Sequence, residues 1–161
     1  MKPISLSESS LYVDDLDRAE NFYRRVLGLN PIRGNDRFRA MSVADSQVLL
    51  LFLRGASLDP VEMPGGTLPA HDGHGPLHVC LGIPSDTVDA WSAQLEAQGV
   101  PVESRINWPS GACSLYFRDP DGNAIELATQ GIWEEGFAQK ATVDPAREEC
   151  SLFDGSEGCE A

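Results

Sequence analysis

A glutamate inside an apolar strand is the first residue of this sequence that could do chemistry. Glu126 lies in the run AIELA, near the end of the segment SLYFRDPDGNAIELAT over 114–129. Pro120 presets φ and Gly122 permits a positive φ, so the segment is predicted to be a β-hairpin with a tight turn. A buried carboxylate is costly unless something neutralises it, and a metal ion would do so. The alternative is that Glu126 faces water from a one-sided sheet.

The elements that would position this glutamate occur twice along the chain. Hydrophobic periodicity predicts a strand, an amphipathic helix and three strands, and then the same order again. The two modules span about 4–54 and 76–130, separated by a Gly-, Pro- and Asp-rich loop over 55–75. Aligning the final hairpins of the two modules places Leu50 opposite Glu126. The expected fold class is therefore α+β, with two paired βαβββ modules in one domain over 1–131.

Glu8 and His78 hold matching positions in the first strands of the two modules. Strand alternation puts Glu8, His78 and Glu126 on faces whose other residues are small or polar, opposite the large apolar residues. Strands of this kind would curve around a lined cavity. Two carboxylates and an imidazole that converge there would suit a divalent first-row metal and leave positions open for substrate. The simpler alternative is three unconnected residues with no shared site.

Composition excludes several classes of partner. The 161 residues carry a net charge of −13, with eight acidic and two basic residues from Gly131 onward. Such a chain is a poor candidate for binding phosphate backbones or anionic membranes. It has no apolar run of about 18 residues and no signal-peptide pattern, and its four cysteines do not form a disulfide framework, so we expect a cytoplasmic protein. The acidic tail over 132–161 is expected to be disordered or loosely attached.

The three histidines of the chain all lie within eight residues of one another. His71 and His74 belong to the long loop, where either one could act as a general acid or base if the loop folds over the cavity. A solvated loop histidine is the alternative for each.

Three segments together resemble the vicinal oxygen chelate superfamily, which includes glyoxalases, extradiol dioxygenases, fosfomycin-resistance thiol transferases and bleomycin-binding proteins. They are LYVDDLDRAENFYRRVLGL, PLHVCLGIP and YFRDPDGNAIELA, and the resemblance runs from about Leu6 to Gly131. It implies that paired βαβββ modules form a curved-sheet cup, with metal ligands on the first and last strand of each module.

The resemblance places Glu8, His78 and Glu126 on ligand positions. The fourth position, used by glyoxalase I, falls on Leu50 or Leu51, which cannot bind metal. Similarity to the extradiol signature adds Tyr116 as a candidate catalytic residue. The histidine which that signature requires shortly before the hairpin is absent from the segment 107–111.

The sequence therefore predicts a small metalloenzyme that uses one divalent ion, Zn, Ni, Mn or Fe, on an oxygen-rich small molecule. Glu8, His78 and Glu126 would hold the metal, while His71, His74 and Tyr116 are the candidate catalytic residues. The reaction would be that of a glyoxalase-like lyase or isomerase, or of a thiol transferase. A homodimer is expected, and its cup could form within one chain or across two. The alternatives are a non-catalytic, bleomycin-resistance-like binding protein and an iron-dependent dioxygenase.

Overall fold

The computed structural model describes residues 1–133 and contains the predicted duplication. In chain order its elements are β1 (Glu8–Val13), α1 (Leu16–Leu27), β2 (Asn30–Gly34), β3 (Phe38–Ala44), β4 (Gln47–Leu53), β5 (Val61–Met63), β6 (Gly66–Leu68), β7 (His78–Ile83), α2 (Val88–Ala97), β8 (Ser104–Asn107), β9 (Cys113–Arg118) and β10 (Ala124–Thr129). The α+β fold class with two βαβββ modules is confirmed. The predicted acidic tail lies outside the described residues beyond Trp133.

Each module folds as one four-stranded mixed sheet. The first sheet has the order β1-β4-β3-β2 and the second has the order β7-β10-β9-β8. Glu8 pairs with Val48 in the first sheet, and His78 pairs with Ala124 in the second. Leu50 lies two residues after Val48, and Glu126 lies two residues after Ala124. Leu50 is therefore the counterpart of Glu126, as the alignment of the two halves of the sequence predicted.

Helix α1 begins and ends where its capping residues predict. The Asp15 side chain accepts hydrogen bonds from the backbone N–H groups of Asp17 and Arg18 at the N-terminus. Gly28 ends the helix in the left-handed conformation, with φ of 69°. The helix therefore presents one continuous apolar face between its two caps.

That apolar face contacts both sheets. In the first module it covers buried residues such as Leu11 and Leu51, and the Phe22 ring lies 6.5 Å from the Phe117 ring of β9 in the second module. The apolar sides of the two sheets thus share one core with α1. Since the Glu8-bearing and Glu126-bearing faces are the opposite sides of these sheets, both point away from that core.

Several element boundaries differ from the sequence predictions. The first strand begins at Glu8 rather than near Ile4, and β8 lies at 104–107 rather than 102–104. A 3₁₀ turn over Ser85–Thr87 precedes α2. The loop predicted over 55–75 contains the short hairpin β5–β6, whose three-residue strands are too short for a periodic pattern to reveal. No helix within residues 1–133 is long and apolar enough to span a membrane.

Candidate functional site

The central row of the second sheet carries three polar side chains on one face. Glu126 in β10 lies in register between Cys80 in β7 and Tyr116 in β9. The residues before and after Glu126 in β10, Ile125 and Leu127, are buried on the opposite face in the apolar core. Strand alternation therefore gives Glu126 the orientation that the sequence predicted.

His78 and Glu126 lie side by side on this face. His78 Nε2 is 3.3 Å from Glu126 Oε2, and His78 Nδ1 is 3.1 Å from the carbonyl oxygen of Ala124. Because a carbonyl oxygen can only accept a hydrogen bond, Nδ1 of His78 carries the hydrogen. In a neutral imidazole, Nε2 then has no hydrogen and presents a lone pair. Two electron-pair donors facing each other at this distance require a cation, either a proton or a metal ion.

The burial of Glu126 strengthens this argument. The residue is only 5% exposed, and its Oε1 is buried without a hydrogen-bond partner among the described residues. A carboxylate oxygen without a hydrogen-bond partner is less stable in an apolar environment than it is in water. The free Oε1, Oε2 and the His78 Nε2 lone pair form a donor set that fits a divalent metal. A backbone carbonyl behind Nδ1 is the usual support of a metal-binding histidine.

Two proton donors flank the carboxylate. Burial, and then the adjacent charge of Glu126, raise the pKa of the Cys80 thiol to about 12. Burial, and then a hydrogen bond to Glu126 and the charge of Glu126, raise the pKa of Tyr116 to about 12. Cys80 as a whole residue is exposed, so the desolvation of its Sγ is partial. The Tyr116 ring also stacks on the imidazole of His78, with 6.2 Å between ring centroids. Both side chains are therefore neutral donors near pH 7.

Glu8 does not complete this donor set within the chain. It is exposed at the start of β1, and no group of three or more His, Cys, Asp or Glu side chains in residues 1–133 is arranged to hold a metal ion. Glu8 and His78 do line one cavity of about 360 Å³, but its walls include helix-facing residues such as Leu49 and Val79. A cavity of about 500 Å³ beside α2 and β8 contains none of the predicted site residues.

The two loop histidines have different environments. His71 Nδ1 lies 2.9 Å from the hydroxyl of Tyr12, and its ring meets the Phe52 ring edge-on at 4.5 Å. His71 therefore covers the first sheet, whereas Glu126 belongs to the second. His74 is exposed. Asp72 accepts from the backbone N–H groups of Gly55 and Gly73, so its hydrogen bonds shape the loop.

The family model of the Glyoxalase/Bleomycin resistance protein/Dioxygenase superfamily matches residues 5–127. The chain belongs to this superfamily. Its resemblance to vicinal oxygen chelate proteins, first indicated by three sequence segments, is thereby confirmed.

Solved structures of this superfamily and its relatives share the fold. A lactoylglutathione lyase from Agrobacterium tumefaciens is 35% identical, with a TM-score of 0.75 over 83% of this chain and 98% of that one. An integron cassette protein from Vibrio cholerae is 29% identical, with a TM-score of 0.62 over 81% and 98%. A fosfomycin resistance protein from Listeria monocytogenes, at 21% identity and a TM-score of 0.60 over 83% and 98%, is similar in fold alone.

Two residues that contact candidate site residues were not among the site residues predicted from sequence. Cys80 has the correct strand parity, but an unpaired cysteine is more typical of a small core residue, and in the structure it is exposed beside Glu126. Tyr12 has the pattern of an ordinary strand aromatic, and only the path of the distant loop shows that its hydroxyl meets His71. Strand pairing reveals that Cys80 lies beside Glu126, whereas no local sequence signal reveals the contact between Tyr12 and His71.

Proposed function

We propose that this superfamily member is a divalent-metal-dependent enzyme that acts on a small, oxygen-rich molecule. The observation that carries the proposal is the contact between His78 Nε2 and Glu126 Oε2, together with the unpartnered Glu126 Oε1. His78 and Glu126 would hold the ion, with Glu8 as a third ligand. The metal would supply Lewis acidity, which stabilises an oxyanion on the substrate. Zn, Ni, Mn and Fe are all compatible with one imidazole and two carboxylates.

Side chains of the protein would then donate protons and hydrogen bonds to the substrate, or accept them from it. Tyr116 keeps its proton because its pKa is raised, so it is suited to donate a hydrogen bond to a developing oxyanion. Cys80 is suited to the same role from the other side of Glu126. His71 is the better placed of the two loop histidines to act as an acid or base, since it already contacts the first sheet.

We propose further that the site forms in a homodimer. The two sheets share one core around α1, so the faces that carry Glu8 and Glu126 both point away from it. A second copy could bring its own Glu8 to the His78–Glu126 pair, and a twofold axis would then make two equal sites. Cys80 and Cys113 are free thiols, which supports the proposed cytoplasmic location.

The reaction class that we favour is lyase or isomerase chemistry. The support is the 35% identity to a protein named lactoylglutathione lyase. Leu50 at the fourth ligand position argues against the four-ligand site that the resemblance implies for glyoxalase I, so the substrate would differ. A non-catalytic binding protein is the second candidate, favoured by the missing third ligand within residues 1–133 and by the aromatic side chains of the first sheet.

Metal titration of the metal-stripped protein tests this proposal. Calorimetry with Zn²⁺, Ni²⁺, Mn²⁺ and, without oxygen, Fe²⁺ should find about one site per chain for at least one ion. His78→Ala should remove that binding while circular dichroism reports an intact fold. His74→Ala is the matched control, since this exposed loop histidine should leave binding unchanged. Absence of binding for all four ions would favour the binding-protein alternative.

A further inference from the structure

A buried serine lies on the face of the second sheet that carries Glu126 and Tyr116. Ser114 and Tyr116 are alternate residues of β9, and the residue that follows each of them, Leu115 and Phe117, is buried in the apolar core. Strand alternation therefore places Ser114 on the same face as Tyr116. Ser114 is nevertheless 0% exposed, whereas Tyr116 is half-buried. Another part of the chain thus covers the serine.

Trp108, in the turn between β8 and β9, contacts this serine. Its indole Nε1 donates a 2.8 Å hydrogen bond to Ser114 Oγ. Two backbone hydrogen bonds close the turn, since the N–H of Trp108 donates to the carbonyl of Ala112 at 2.8 Å and the N–H of Gly111 donates to the carbonyl of Trp108 at 2.9 Å. The backbone of the turn therefore fixes the position from which the indole reaches Ser114.

The indole also sets the direction of the hydrogen bonds on this face. An indole N–H can only donate, so Ser114 Oγ accepts from Trp108 and its own hydrogen is available to a different acceptor. A buried hydroxyl group usually has such a partner. The partner is Tyr116, because burial and then a hydrogen bond to Glu126 raise the pKa of Tyr116, while a hydrogen bond with Ser114 acts in the opposite direction and lowers it. A hydrogen bond that lowers the pKa of a phenol stabilises the phenolate, which can only accept, so Ser114 is the donor.

Glu126 is the acceptor at the end of these hydrogen bonds. Because Tyr116 Oη accepts from Ser114, the hydrogen of the phenol is directed to another group. Tyr116 pairs with Glu126 across β9 and β10, and a carboxylate can only accept. The hydrogen bonds therefore run in one direction, from Trp108 through Ser114 and Tyr116 to Glu126, and we call these four residues the donor series. The reverse direction is excluded, because the indole nitrogen cannot accept.

We propose that Ser114 and Trp108 are positioning residues, which hold the Tyr116 hydroxyl as a hydrogen-bond donor toward the substrate oxygen beside Glu126. Both act through Tyr116, and neither needs to touch the substrate. The inference rests on the proposed metal-dependent function, in which an oxyanion develops beside His78 and Glu126. Without Ser114 the phenol could turn its hydrogen away from Glu126 and present a lone pair to the oxyanion, which would oppose its stabilisation.

A double-mutant cycle on ligand binding tests whether Ser114 acts through Tyr116. The probe is acetohydroxamate, which presents two adjacent oxygens to the metal-loaded protein, and calorimetry measures its dissociation constant. Tyr116→Phe should raise this constant about 10-fold or more, and Ser114→Ala about 2- to 10-fold, because a hydrogen bond to a charged oxygen is lost or misdirected. In the Tyr116→Phe background, Ser114→Ala should cause no further change. A serine with a purely structural role would cause the same loss in both backgrounds.

Variants of the indole test the first member of the donor series. Trp108→Phe keeps an aromatic ring and removes the N–H, so it should weaken acetohydroxamate binding as Ser114→Ala does. Trp133→Phe is the matched control, since this indole is 70% exposed and should leave the dissociation constant unchanged. Ser114→Thr retains a hydroxyl group and should keep the affinity close to that of the parent.

Fluorine NMR of the metal-free protein tests the donor series without metal or ligand. The sequence contains three tyrosines, so labelling with 3-fluorotyrosine should give three signals, and Tyr116→Phe identifies the signal of Tyr116. Ser114→Ala should shift this signal and Ser114→Thr should restore it. The signals of Tyr12 and Tyr23 should stay in place in both variants, which shows that the fold is intact.

The outcomes separate this inference from the proposed function. An unshifted Tyr116 signal in Ser114→Ala, or equal affinity losses in both backgrounds of the cycle, would overturn the inference and leave the metal site standing. An unchanged affinity for acetohydroxamate in Tyr116→Phe would also overturn it. Failure of the parent protein to bind metal would overturn the proposed function and the role toward substrate together, and the fluorine signals would still show whether Ser114 donates to Tyr116.

Discussion

The Tyr23 hydroxyl in α1 donates a 2.8 Å hydrogen bond to Asp119 Oδ2, in the turn before β10 of the other module. Both residues are buried, and Asp119 also accepts from the side chain of Asn123 at 2.8 Å. This bond links the helix of the first module to the hairpin that carries Glu126. The position of the candidate site therefore depends on a contact between the two halves of the duplication.

Removal of this hydroxyl should destabilise the protein measurably. Tyr23→Phe leaves the ring in place but deprives a buried carboxylate of one donor, so we expect the free energy of unfolding to fall by about 1.5–3 kcal/mol. Urea denaturation at constant m-value measures the change. Tyr12→Phe is the control, because its half-buried hydroxyl bonds the imidazole of His71 rather than a buried carboxylate, and its loss should cost only about 0.5–1.5 kcal/mol. Equal losses in the two variants would contradict the structural role assigned to Tyr23.

The reactivity of Cys80 should follow its raised pKa. Only the thiolate is alkylated, and in the metal-free protein the pKa of Cys80 is about 12 rather than 9. The logarithm of the iodoacetamide rate at this residue, followed by peptide mass spectrometry, should therefore rise linearly from pH 7 to pH 10. Glu126→Gln removes the adjacent charge and should increase the rate at pH 8. A plateau near pH 9 in the unaltered protein would show that the pKa of Cys80 is not raised, and an unchanged rate in Glu126→Gln would show that Glu126 does not act on the thiol.

Mixing two variants that have each lost metal binding distinguishes a site within one chain from a site shared by two chains. Glu8→Ala and His78→Ala should each lose metal binding. If the site is shared, a mixed dimer contains one intact site and one that lacks both ligands. Random exchange of the subunits should then restore about 0.25 metal ions per chain. No restoration, with exchange verified by native mass spectrometry, would place the site within one chain or exclude Glu8 from it.

The loop over 55–77 should depend on His71 for its closed position. His71→Ala removes both the contact with Tyr12 and the packing on Phe52, so limited proteolysis within the loop should become faster. The metal content should not change, since His71 lies on the other sheet. His74→Ala should leave the cleavage rate unaltered. Metal loss in His71→Ala would indicate that the loop supports the metal site directly.

Much of the fold was accessible from the sequence because its signals are local. The apolar spacing of α1, its Asp15 and Gly28 caps, and the repeated element order each follow from residues close together in the chain. The register that makes Leu50 the counterpart of Glu126 also followed, since two similar hairpins were compared. The hairpin β5–β6 was missed because its strands have only three residues each and lie in a segment rich in Gly, Pro and Asp.

The site was less accessible because it depends on contacts between distant segments. Strand parity predicted the faces of His78 and Glu126, but not that Nδ1 of His78 would meet a backbone carbonyl and leave Nε2 directed at the carboxylate. The contact between Tyr12 and His71 joins residues 59 positions apart through a loop with no regular pattern. Residues 1–133 do not bring Glu8, His78 and Glu126 together as one group that could hold a metal ion, and this outcome depends on how the two modules pack around α1.

The most direct test of the account is elemental analysis of the purified protein beside Glu126→Gln. The unaltered protein should contain about one divalent metal per chain, and the variant should contain almost none. The metal-free variant should also be at least as stable to heat as the metal-free parent, because the substitution removes a buried charge whose Oε1 has no partner among residues 1–133. Metal retained at the same level in Glu126→Gln, or no metal in the parent even after reconstitution, would contradict the proposed centre.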